Sequence, residues 1–134
     1  MKHAARTLLA VLAGMAVAFV LVIAVEFFSS LVHPLPPNFN GNMPDHVRHY
    51  QTWVLAVVVL LWAATIAAAT WVASKLGDRL AALFVAFFLE WALVFNLTKL
   101  PYATWFKVAM FAAFPLACLL GIRSGARPRA GDSQ

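Results

Sequence analysis

The chain reads as four long apolar runs set apart by short polar breaks. No charged or strongly polar side chain interrupts the first run between Leu8 and Val25. Carried on through Glu26 to residue 32, it exceeds the ~20 residues a helix needs to cross ~30 Å of hydrocarbon. Three further runs follow, at about 53–74, 80–98 and 103–122; the third holds Glu90 and Asn96, and the fourth holds Lys107. The pattern predicts four membrane-spanning helices, the first over about 8–32.

The breaks define the connections. Ser74-Lys75-Leu76-Gly77-Asp78-Arg79 stops one helix with a glycine and charges, and is short enough to force the next helix back antiparallel. Pro101 cannot continue a helix and sets a second tight reversal. The long connection, 33–51, carries Pro34, Pro36, Pro37 and Pro44 with Asn38, Asn40, Gly41 and Asn42, which exclude helix over most of its length. Pro44 to Tyr50 starts a short turn into the second span.

Composition agrees with lipid as the surrounding solvent. Of 134 residues, 63% are hydrophobic and 11% charged, and the mean hydropathy is +0.83, more apolar side chain than one small water-soluble core can hide. The formal net charge of +5 comes mostly from cations at the ends of the runs, which reads as topology and not as nucleic-acid binding. With four spans, Lys2, Arg6, Lys75, Arg79, Arg123, Arg127 and Arg129 fall on one side, and Arg48, Lys99 and Lys107 on the other. Lys and Arg are retained on the cytoplasmic side, so both termini are expected inside and the 33–51 connection outside. The basic start resembles a secretory signal, with Ala16-Val17-Ala18 as a cleavage pattern, but the apolar stretch outruns a signal core of ~7–15 residues. It is expected to stay as the first span. Residues 1–123 form one transmembrane domain, and 124–134 are expected to be a disordered basic tail.

Helices in lipid approach closely where small residues line a face. Ala10, Gly14 and Ala18 form such a stripe on the first span, and Thr65, Ala69 and Ala73 on the second. Polar groups within the spans need partners. Glu26 lies ~27 Å along its helix from Leu8, near the outer end, and shares a face with Ser29, Ser30 and His33. Its expected partner is Lys107, in a structural ion pair, with Arg48 as second choice. Glu90 falls near the middle of the third span with no cation at its depth, and Thr65 or the Phe111 carbonyl, deprived of its amide donor by Pro115, would accept its hydrogen bond. Glu90 and Glu26 are the candidates for handling a proton or substrate. His33, His46 and His49, with Asp45, gather in the outer loop as candidate metal ligands, although their spacing matches no known ligand pattern. Cys118 is the single cysteine and reads as a small packed apolar residue. Asn96-Leu97-Thr98 matches a glycosylation pattern at a depth where it means nothing. No nucleophile motif, phosphate loop or dinucleotide fingerprint is present, so neither an enzyme nor a cofactor is expected.

Val25-Glu26, His33-Pro34-Leu35-Pro36-Pro37, the alanine-rich stretch from Trp62 to Lys75, Asn96, Pro101, Trp105-Phe106 and Pro115 together resemble an uncharacterised family of small four-helix bacterial inner-membrane proteins. The resemblance runs over nearly the whole chain and implies an inner-membrane location, without an activity. Small multidrug transporters also have four short spans and a membrane carboxylate, but theirs sits in the middle of the first helix, where this chain has none. The expected fold is therefore an all-α integral membrane four-helix bundle, N-in/C-in. The expected role is a non-enzymatic accessory or assembly protein, partnered by the lipid bilayer and by further copies or another membrane protein. The alternative is a small transporter or channel-like protein with Glu90 as its proton or cation site.

Overall fold

The computed structural model describes residues 2–126. Five helices account for nearly all of them: α1 (Lys2–Val32), α2 (Met43–Arg48), α3 (Thr52–Leu76), α4 (Arg79–Lys99) and α5 (Thr104–Gly125). Four of these, all but the short α2, are long and apolar enough to cross a membrane. No strand occurs among the described residues.

Local chemistry explains where each helix begins and ends. Asp78 caps α4, its Oδ1 accepting the Ala81 amide at 2.9 Å. Asn42 caps α2 by accepting the Asp45 amide at 3.3 Å, with Pro44 in the first turn, where a missing amide costs nothing. The turn expected after Pro44 is thus a short helix. Gly77 closes α3, and Pro101 separates α4 from α5. Two boundaries differ from the sequence expectation. α1 begins at Lys2, six residues before the apolar run, because Lys2 to Thr7 hold good helix formers with nothing to break them. α5 continues through Ser124 to Gly125, taking two residues from the expected tail. The rest of that tail, 127–134, lies outside the described residues.

The long helices form a bundle with α3 at its centre. α3 packs against α1, α4 and α5; α4 also touches α1 and α5, while α1 and α5 do not meet. Small residues make the close approaches. A Cβ on Gly14 would stand 2.9 Å from the Ala69 carbonyl oxygen and 3.0 Å from Ala73 Cβ, so the two alanine-rich stripes read from the sequence lie against each other. On the other side of α3, Gly121 packs on Ala67 and Thr70, and Gly125 on Trp71 and Ser74. The Ser74 hydroxyl donates across to the Ile122 carbonyl at 3.2 Å. Ala117, Gly121 and Gly125 form a third small-residue stripe at the same spacing of four, all buried.

One end of the bundle is fixed by polar contacts. Arg6 Nε donates to the Leu76 carbonyl at 2.9 Å, and the Thr7 hydroxyl donates to Asp78 Oδ2 at 3.4 Å. The start of α1, the turn between α3 and α4, and the end of α5 therefore sit together. The opposite end carries α2.

Candidate ligand site at the α2 end

At the α2 end the helices diverge enough to leave a cavity of about 240 Å³ between α1, α3, α4 and α5, with α2 closing its side. Glu26 is the only charged residue in its wall. The carboxyl is exposed, which puts it at the mouth, while Ser29, one helical turn on, is buried. Tyr50, from the α2–α3 connection, and Tyr102, from the α4–α5 connection, bring hydroxyls to the same space, and Asn96 adds an amide. The remaining surface is aromatic, thioether or aliphatic, including Trp62, Phe106 and Met110.

The two tyrosines report how closely these groups are drawn together. Burial raises the Tyr50 phenol above its ordinary value and the Glu26 charge adds to this, while a side-chain hydrogen bond with Ser29 acts in the opposite direction. Tyr102 is pushed up to about 12, by burial first and then by Tyr50 and Glu26. Both phenols stay protonated at any physiological pH and serve as hydrogen-bond donors beside the carboxylate.

α2 roofs the cavity through Met43 and Val47, and a cluster of tilted rings lies beside it around Tyr50. His33, just past the end of α1, lies with its ring centroid 4.4 Å from that of His46 on α2 and 4.5 Å from that of Tyr50. His33 Nε2 is buried and has no hydrogen-bond partner. Burial lowers the His46 pKa below its ordinary value, and the neighbouring His33 and His49 add to this. His49 Nδ1 lies 2.8 Å from the Asp45 carbonyl oxygen, and His49 lines a second pocket together with His33, Asp45 and His46.

Several sequence expectations take a different form. No ion pair joins Glu26 to Lys107 among the described residues, and neither Lys107 nor Arg48 lines the cavity. The cause is the packing order: α1 and α5 lie on opposite sides of α3, so residues at matching depth on them do not meet. The histidines meet in part. The His33 and His46 rings pack with a 34° tilt between their planes, and no group of three His, Cys, Asp or Glu is placed to hold a metal ion among the described residues. Glu90, in the middle of α4, is exposed on the outside of the bundle. It makes no hydrogen bond with Thr65, whose hydroxyl donates to the Leu61 carbonyl at 2.9 Å on the buried, α1-facing side of α3. Glu90 lies on the side of α4 toward α5 and the buried Cys118.

The sequence reading missed Tyr50, Tyr102, Trp62 and Asn96 as parts of a site. They come from four different segments; Tyr50, Tyr102 and Asn96 fall at or near the same end of a span as Glu26, a signal of depth, whereas Trp62 lies near the middle of α3. Fold and site together define a four-helix bundle with an aromatic cavity that has one acid at its mouth. No protein-family model, curated protein or solved structure matches the chain.

Proposed function

We propose that the chain is a multi-pass protein of the bacterial inner membrane, with both ends in the cytoplasm, that binds a small organic cation from the outer face in the Glu26 cavity. It is read as non-enzymatic. The lipid location rests on the four apolar helices, the orientation on the surplus of Lys and Arg at the Arg6/Arg79 end, and the inner membrane on the family resemblance.

One observation carries the binding reading: among the described residues, Glu26 is the sole charge in the cavity wall, which is otherwise mostly aromatic, thioether and aliphatic, and no cation lines it. A carboxylate in such a place favours a cation, and the faces of Trp62, Tyr50, Tyr102 and Phe106 attract one through their ring quadrupoles. The phenols and Asn96 supply hydrogen bonds that orient a polar group. A volume of about 240 Å³ falls below the ~300 Å³ lower end of drug-sized pockets, so the ligand is small. Glu26 thereby replaces Glu90 as the ligand-binding acid, because the cavity forms around Glu26.

The test is calorimetric titration of the purified protein in lipid nanodiscs with tetramethylammonium, comparing wild type with Glu26→Gln. The expected result is saturable binding that weakens roughly tenfold or more in the variant, about 1.4 kcal/mol per tenfold. No saturable binding by the wild type, or equal binding by the two proteins, overturns the proposal.

A further inference from the structure

Glu90 is the one ionisable group in the middle of a long helix that the bundle leaves uncovered. In the bilayer proposed above, it would face hydrocarbon, where a carboxyl without partners is strongly disfavoured whether charged or neutral. The outer surface of α4 divides into two strips. Phe84 and Phe88 border a groove shared with α1. Leu83, Phe87, Glu90 and Val94 follow a spacing of four, three and four on the side toward α5; the three apolar members are each more than a third exposed. That spacing is the seam by which one helix packs along another at a small crossing angle. A second unmet group lies on the neighbouring flank of α5: Pro115 cannot donate the amide that the Phe111 carbonyl would receive in a regular helix.

We infer that this strip is a self-association surface, on which a second copy of the chain seats its own α4 so that the two Glu90 carboxyls meet. Copies inserted in the same sense share a two-fold axis along the membrane normal, and that axis sets every residue against its counterpart at equal depth. A carboxyl is self-complementary, because its O–H donates and its C=O accepts; two of them satisfy each other without a cation. Among the described residues no Lys or Arg lies near this depth to take that place, as Lys107 lies within one turn of the α5 start. Apolar packing of Leu83, Phe87 and Val94 excludes lipid on both sides of the pair, and buried interhelical hydrogen bonds favour helix association in lipid.

The experiment uses full-length protein in native membranes, in a Cys118→Ala background. Retention in the membrane after an alkaline wash establishes insertion separately, so that its failure is distinct from failure of the interface. Single cysteines are placed by Leu83→Cys or Val94→Cys on the proposed seam, and by Phe88→Cys or Trp91→Cys on the other strip. A membrane-permeant oxidant is expected to link the seam cysteines into dimers and leave the others monomeric. Single-molecule photobleaching of wild type in dilute liposomes is expected to show two-step traces. Glu90→Leu should raise the protein density needed for dimers about tenfold, while Glu90→Gln, whose amide both donates and accepts, should stay near wild type. Single-step traces, equal linking of both strips, links only to a different protein, or a Glu90→Leu variant that dimerises like wild type would each overturn the inference.

Discussion

Gly121 shows how much of this bundle rests on absent side chains. A Cβ there would collide with the Thr70 hydroxyl and the Ala67 carbonyl, and carbonyl oxygens of a packed helix have little room to give. Gly121→Leu is therefore expected to push α5 off α3 and destabilise the fold by about 1–3 kcal/mol or more, read as a lower midpoint of unfolding in mild detergent. Gly41, which has a positive φ of 84° but open space around it, is the contrasting case: Gly41→Ala meets only backbone strain at the loop. The sequence carried the packing of Gly14, because its stripe and that of Ala69 were both visible as spacing. It did not carry the partner of Glu26. Spacing shows which residues share a face of one helix, whereas an ion pair with Lys107 required α1 and α5 to be neighbours, and adjacency is settled by which small-residue stripes find each other.

At the scale of elements, α2 and the ring stack beneath it are the part of the site that answers to pH. The His46 pKa is lowered by burial and by His33 and His49, so the folded roof binds a proton less readily than the free loop. Its stability is fully present above the ordinary imidazole value of ~6.5 and is lost as pH falls below it. Acidification from pH 7.5 to 5.5 is expected to lower the amide-exchange protection factors of 43–50, after correction for the intrinsic rate at each pH, while leaving those of α3 and α4 unchanged; His46→Phe should abolish that response. The groups around His46 are His33 from the end of α1, His49 and Asp45 within α2 and its cap, and Tyr50 from the connection to α3. The prolines and asparagines of 33–42 announced a loop, and Pro44 announced its turn. The stack itself was not legible, since His33 reaches His46 only through the path the intervening loop takes.

For the whole molecule, the end-to-end alternation of four helices puts Arg6, Lys75 and Arg79 at one end and the α2 roof at the other. Under the proposed orientation, Asn38→Cys in a Cys118→Ala background should react with an impermeant maleimide in intact cells whose outer membrane has been made permeable. Arg79→Cys should react only after lysis. Reversed labelling would place the Glu26 cavity on the cytoplasmic face. The number and limits of the long helices were legible because hydrophobic length alone sets them. Their arrangement around α3 was not, because every face of these helices is apolar enough to bury or to expose.

That arrangement also orders the birth of the protein. If the helices enter the proposed bilayer in chain order, α1 meets the Ala69 stripe that matches Gly14 only once α3 has followed, and Val85 of α4 closes on the same face later still. α4 then joins the pair, and α5 docks last on the opposite side of α3 through Gly121 and Gly125. Phe106 and Met110 of α5 complete the wall around Glu26. A chain that stops before α5 lacks part of that wall, so under the proposed function a loaded site would mark a molecule whose synthesis has passed α5.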